Sequence, residues 1–283
     1  MKSTILIHCP DHPGIIRAVT TFVHEQGGNI VYLDQHVDKQ ADTFFMRLES
    51  EFDQENFSIE TFKKTFKEEL ADAYQMKWRI YSSSKKPKMA LFVSKYNHCL
   101  YDLLSRFNSG ELEVDIPFII SNHDDLRYVA DQFEIPYYHI PITKDSKEEG
   151  ENAQLSLLKE HQIDFIVLAR YMQIVTPKII DRYPNKIINI HHSFLPAFAG
   201  AKPYHAAFER GVKIIGATSH YVTEELDAGP IIEQDVTTVS HSHSIKDFIA
   251  KGRDLEKIVL SRAVKLHIKR KTMVFGNKTV IFS

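Results

Sequence analysis

From residue 89 onward, short segments with no polar face recur between stretches of helical periodicity, and this pattern narrows the choice of fold more than any other feature. Met89 to Ser94, Phe118 to Ser121, Phe165 to Ala169 and Lys186 to Ile190 are near-continuous apolar runs. Strands that are apolar without alternation are buried on both faces. Between and around them, Leu100 to Phe107, about Asp124 to Phe133, Ala153 to His161 and Ile179 to Tyr183 repeat apolar residues at helical spacing. The pattern predicts an α/β domain with a mostly parallel sheet covered by helices on both sides. Ligands of such sheets bind beyond the carboxyl ends of the strands. The tail, Met273 to Phe282 around Gly276-Asn277, predicts a terminal hairpin.

The first 80 or so residues follow a different rhythm. Thr4 to His8 read as a strand, and Cys9-Pro10-Asp11-His12-Pro13-Gly14 as a turn. Ile15, Ile16, Val19, Phe22 and Val23 then mark a helix that Gly27-Gly28 stops. Asn29 to Asp38 and Phe44 to Glu51 predict two paired strands. Ile59, Phe62, Phe66 and Leu70 predict a second helix, and Met76 to Tyr81 a last strand. The order βαββαβ is the split βαβ, ferredoxin-like arrangement. Ser82-Ser83-Ser84-Lys85-Lys86-Pro87-Lys88 is polar, charged and ends near a proline, which places the domain boundary at 1–84 and 85–283.

Of the 283 residues, 43% are apolar and 25% charged, and the formal net charge is −2. That balance fits a globular chain with two cores and gives no reason to expect nucleic acid or an anionic membrane as partner. The apolar run at the N-terminus is too short for a signal peptide, and no later stretch approaches a membrane span. Two cysteines, Cys9 and Cys99, make no disulfide framework and fit a reducing, cytoplasmic setting.

Two segments carry chemistry. Asn189-Ile190-His191-His192-Ser193-Phe194-Leu195-Pro196 closes an apolar strand, and strand period puts Asn189 and His191 on one side. A carboxamide donor beside an imidazole suits a developing oxyanion and a proton in transit. Thr218 to Leu226 reads as another strand leaving into a polar loop, where Asp227 precedes Ala228-Gly229-Pro230 and a tight turn aims its carboxylate. Each residue also has a bland reading: a histidine hydrogen-bonded to backbone, an asparagine satisfying main-chain groups, an aspartate shaping a turn. The residues alone leave open a hydrolase or a transferase that uses His, Asn and Asp. Metal is not expected, because no HExxH or closely spaced Cys/His set occurs and adjacent strand residues His191 and His192 would face opposite ways.

The paired stretches Asn189-Ile190-His191-x-Ser193-x-Leu195-Pro196 and Leu226-Asp227-x-Gly229-Pro230 resemble the signature of folate-dependent formyltransferases, over about residues 88 to 270. That resemblance implies a Rossmann-like catalytic domain with Asn189, His191 and Asp227 as the catalytic trio. Asp227 would hold His191 or a water, His191 would move the proton, and Asn189 would donate to the tetrahedral oxyanion. It also implies that Tyr171, Met172, Gln173, Ile174 and Val175 form a folate-side wall, with His220 and Gly229 at the substrate, and that no cofactor is needed beside 10-formyltetrahydrofolate as substrate. Gln173 stands where ribonucleotide transferases of the family usually have Arg. The Asp11-His12-Pro13-Gly14-Ile15 turn resembles that of ACT domains, which implies an amino-acid effector at Asp11, Gly14 and Ile15 and a homo-oligomer, dimer or tetramer. The alternative for that turn is that Pro-Gly only shapes the start of the helix.

Within the family, acceptor size separates the branches. A phosphate-bearing acceptor needs a glycine-rich loop after the first strand, because backbone N–H groups must approach the anion. Ser94-Lys95-Tyr96-Asn97-His98-Cys99-Leu100 has no glycine. The members that act on tRNA carry a basic C-terminal domain, whereas this chain ends near the catalytic domain. Water is left as the acceptor. Lys95-x-x-His98-Cys99-Leu100 and Gly200-Ala201-Lys202-Pro203-Tyr204-His205 also resemble the deformylating branch, as does an ACT domain fused to this catalytic fold. The expectation is therefore hydrolysis of 10-formyltetrahydrofolate to formate and tetrahydrofolate, supplying formate for purine synthesis and balancing the one-carbon pool. The alternatives are formyl transfer to a small amine, and a non-catalytic amino-acid sensor that keeps a folate-binding relic.

Overall fold

The computed structural model describes residues 1–53, 55, 57–197 and 203–283. Two compact units divide the chain, one of Met1–Lys86 with Ile281–Ser283 and one of Pro87–Val280. The last three residues group with the first unit because the backbone N–H and hydroxyl of Ser283 donate to Asp34 at 2.9 and 3.0 Å.

The first unit runs β1 (Lys2–Pro10), α1 (Ile15–Glu25), β2 (Asn29–Asp38), β3 (Thr43–Glu51), α2 (Ile59–Phe66) and β4 (Lys77–Ser82), with a π-helical turn at Lys67–Ala71 after α2. Its antiparallel sheet has the order β2-β3-β1-β4. Ile5, Ile7 and Cys9 alternate onto the helix side, where Val19, Phe22, Phe62 and Phe66 complete the core. Gly14, at φ 94°, supplies the left-handed residue that turns the chain into α1. Asp11, Gly14 and Ile15 line one cavity of this unit together with His12, Arg17 and Gln35.

The second unit continues with β5 (Met89–Val93), α3 (His98–Asn108), β6 (Ile119–Ser121), α4 (Arg127–Gln132), β7 (Tyr137–His139), α5 (Lys147–Glu160), β8 (Phe165–Leu168), α6 (Pro177–Ile180), β9 (Ile187–His191), α7 (Pro203–Arg210), β10 (Ile214–Tyr221), β11 (Ile231–Thr238) and α8 (Ile245–Ile268). Its sheet order is β11-β10-β9-β8-β5-β6-β7. The strands from β9 to β7 pair in parallel, whereas β10 and β11 are antiparallel additions at one edge. Within β5, Met89, Leu91 and Val93 pack against α3, α4 and α8, while Ala90 and Phe92 pack against α5 and α6. Both faces are thus buried, which is why the strand shows no alternation. The hairpin β12 (Thr272–Phe275) and β13 (Lys278–Ile281) closes the tail. Among the described residues no helix is long and apolar enough to cross a membrane.

Four elements have no counterpart in the sequence reading: β7, α7, β11 and α8. Helix α8 carried a legible start, because Ser244 and Asp247 form a reciprocal capping box at its N-terminus.

Candidate active site

Strand β9, third of the seven strands and next to the central β8, delivers Asn189 and His191 at its carboxyl end. Strand β10 lies antiparallel beside it, with His220 directly opposite Asn189 and Thr218 opposite His191. The chain then leaves β10 and returns as β11 through a loop that carries Asp227 at φ 54°. Aspartate tolerates this left-handed conformation better than most residues. Gly229 brings the returning chain against β10: a Cβ there would stand 1.8 Å from the Tyr221 carbonyl oxygen. Asn277, in the turn of the tail hairpin, donates to the Ala228 carbonyl at 2.9 Å and braces the same loop.

Register and loop together converge four side chains. His191 Nδ1 lies 3.1 Å from Asp227 Oδ2, and His220 Nε2 lies 3.6 Å from Asp227 Oδ1. Asn189 Nδ2 stands 3.2 Å from His220 Nε2. The other His220 nitrogen, Nδ1, donates to the Tyr221 carbonyl at 2.9 Å, which leaves Nε2 between the Asn189 amide and the Asp227 carboxylate. Burial pushes the Asp227 carboxyl up, but hydrogen bonds from His191 and His220, with their positive charge, outweigh it and hold the group well below the usual carboxylate range. His191 Nε2 is buried and has no hydrogen-bond partner. A buried nitrogen left open in this way is set for a group that arrives from outside.

These residues line a cavity of about 390 Å³, within the range of roughly 300–1,000 Å³ typical of small-molecule sites. Tyr171, Met172, Gln173, Ile174 and Val175 form its opposite wall, and His220 and Asp227 stand on the catalytic side. Met172 and Ile174 are exposed, so this wall presents apolar surface to whatever enters. Two buried polar residues of α5 fix it from behind. Gln154 donates to the Tyr171 hydroxyl at 2.9 Å, and Glu151 accepts from Thr176 N at 3.0 Å and from its hydroxyl. Burial pushes the Tyr171 hydroxyl up to about 12. Beside Tyr171, Met172 N donates to Ser94 Oγ at 2.9 Å, and Ser94 donates to Asn122 at 2.6 Å.

Three expectations change. Gly229 is not among the residues lining the cavity; its place is set by the close approach to Tyr221. His192 does not oppose His191, because β9 ends at His191 and the two rings lie 5.3 Å apart. The first loop, expected only to block a phosphate, also contributes Tyr96 and His98 to a second cavity. Of the stretch 200–205, residues 200–202 lie outside the described residues. His220, expected at the substrate, also joins Asp227 and Asn189 in one cluster. Arg170 and Glu256 escaped the sequence reading, Arg170 inside an apolar wall segment and Glu256 on the buried side of α8. His98, Cys99 and Glu256 bring potential metal-ligand atoms within 4.8 Å of one another. Arg170 Nε, 3.4 Å from Glu256, already sets a positive charge there, and burial raises the Cys99 thiol well above its ordinary value. The group is better described as an ion-pair network.

Residues 87–264 match the formyl transferase family and residues 3–58 the ACT domain family. Over 283 residues the chain is 51% identical to formyltetrahydrofolate deformylase of a Synechocystis species, covering 100% of this chain and 99% of that protein. The corresponding protein of Bacillus subtilis is 44% identical over 283 residues, covering 100% and 94%. The crystal structure of a formyltetrahydrofolate deformylase from Pseudomonas syringae pv. tomato superposes with a TM-score of 0.96 at 46% identity, covering 100% of this chain and 95% of that one. The chain belongs to the formyltetrahydrofolate deformylase family, with an ACT domain ahead of a formyl transferase domain.

Proposed function

We propose that the chain hydrolyses 10-formyltetrahydrofolate to formate and tetrahydrofolate, and that Asn189, His191 and Asp227 carry the reaction. The observation that carries this reading is that His191 lines the cavity with Nδ1 against Asp227 and a buried Nε2 that has no hydrogen-bond partner. The formyl group on N10 is amide-like, so hydrolysis needs an activated water and a stabilised oxyanion. Asp227 orients the water and accepts its proton as the water oxygen bonds to the formyl carbon. The Asn189 amide and the His191 imidazolium donate to the oxyanion. As the intermediate collapses the N10–C bond breaks, N10 takes a proton, and formate and tetrahydrofolate are released. His220 positions Asp227 and Asn189 relative to each other. Proton transfer and oxyanion stabilisation suffice for this chemistry, so no cofactor enters the proposed sequence.

The wall from Tyr171 to Val175 takes the folate, largely through main-chain groups. The cavity at Asp11, Gly14 and Ile15 would take an amino-acid effector, and the chain would act as a cytoplasmic homo-oligomer, a dimer or tetramer, that feeds formate to purine synthesis and balances the one-carbon pool. The test is formate release from 10-formyltetrahydrofolate in buffer, with no acceptor, for wild type and Asp227→Asn. Asparagine keeps the size and tolerates the left-handed backbone, so only the charge is lost. Steady release by wild type and a fall of about 10²-fold or more in the folded variant are expected. Release that begins only when an amine is supplied would identify a transferase instead.

A further inference from the structure

A second cavity, of about 250 Å³, adjoins the catalytic one and shares Arg170 and His192 with it. Tyr96, His98, Tyr204, Arg253 and Glu256 complete the part that matters here. Glu256 is only 1% exposed and its charge is committed: the Tyr204 hydroxyl donates at 2.6 Å, His98 Nε2 donates at 2.7 Å, and Arg170 Nε stands at 3.4 Å. Arg170 is 8% exposed, and its Nε is buried without a hydrogen bond. The guanidiniums of Arg170 and Arg253 both face the Tyr96 ring, at 5.0 and 5.6 Å from its centroid. Two guanidiniums against one carboxylate leave a surplus positive charge when the imidazoles are neutral. Arg170 is buried beside Glu256, so the surplus falls on the exposed Arg253, whose guanidinium can pair with a small anion at the compartment.

We propose that this compartment binds the formate product and is the way by which it leaves. The inference rests on the hydrolase reading. Hydrolysis makes two products of unequal size, and the larger, tetrahydrofolate, fills the catalytic cavity. His192 follows His191 directly and lines both cavities. A carboxylate formed at His191 therefore passes only His192 and Arg170 to reach the cationic space, and it departs without waiting for the folate. The compartment selects a small monoanionic carboxylate, since Tyr96 and Tyr204 narrow it beside the two guanidiniums.

The experiment uses the full chain. Line broadening of [13C]formate is measured with wild type, Arg253→Met and Arg253→Lys, each with and without saturating tetrahydrofolate. Arg253 is exposed on α8, so both variants are expected to fold. In parallel, sodium formate is tested as an inhibitor of hydrolysis against sodium chloride at equal ionic strength. Expected are broadening that persists with tetrahydrofolate bound, affinity about tenfold weaker in Arg253→Met and largely kept in Arg253→Lys, and inhibition noncompetitive with 10-formyltetrahydrofolate. Broadening abolished by tetrahydrofolate, competitive inhibition, wild-type affinity in Arg253→Met, or equal inhibition by chloride would each overturn the proposal. Binding is read without turnover, so a failure of the hydrolase reading shows separately, as absent formate release.

Discussion

Asn189, His191 and Asp227 do different work, and the distances separate them. His191 lines the cavity and keeps a buried Nε2 without a hydrogen-bond partner, while Asp227 is drawn to the two imidazoles. Asn189 sits between the strand backbone and His220 Nε2, so its amide is held rather than free to rotate. Removing one oxyanion donor from such a site generally costs about 10²–10³ in rate. Asn189→Ala is therefore expected to lower kcat by that order with a much smaller change in KM, because the lost interaction belongs to the transition state. Steady-state kinetics on a variant with unchanged circular dichroism would decide it. An equal loss in KM alone would mean that Asn189 binds substrate and does not stabilise the oxyanion.

The wall loop is an element-scale device. Residues 171–175 have no regular structure, yet α5 holds them through Gln154 and Glu151, both buried. Buried polar groups survive only when paired, so the helix and the loop specify each other. Gln154→Leu leaves the Tyr171 hydroxyl unpaired in the interior at a cost of about 1–3 kcal/mol. A wall loosened by about 1 kcal/mol should raise KM for 10-formyltetrahydrofolate about fivefold while kcat moves less. Unchanged KM would show that Tyr171 holds its place by packing alone. The helix α5 and the loop were each visible in the residue pattern, but the bonds between them join positions 17 and 25 apart that periodicity does not connect.

At the scale of the whole molecule, acid sensitivity follows from His267, buried between α8 and the sheet. Its ring nitrogen Nδ1 meets the Tyr221 hydroxyl at 2.8 Å, and its ring packs on Phe165. Burial, helped by the positive charges of Arg270 and Lys186, pushes it from 6.5 down to about 3. Between those values the unfolded chain binds a proton that the folded chain refuses, so stability rises with pH across the window. The contribution is complete above about pH 6.5 and falls away as the pH drops toward 3. Asp227, also depressed, acts in the same direction but only in the lower, carboxylate range. His267→Gln should flatten the dependence of Tm on pH between about 6.5 and 4, and a variant with the wild-type slope would assign the sensitivity elsewhere. The apolar runs by themselves determined the parallel core, because strands buried on both faces leave a local signature, and the polar stretch from Ser82 to Lys88 set a different domain ahead of it. The paired motifs named Asn189, His191 and Asp227 through a resemblance, without saying how they meet. Only the tertiary structure decided that His220 stands opposite Asn189, that Gly229 and Asn277 fix the Asp227 turn, and that Arg170 and Glu256 meet in a second cavity. Strand register, close backbone approach and charge pairing across 86 positions of chain are long-range facts, and no local pattern encodes them.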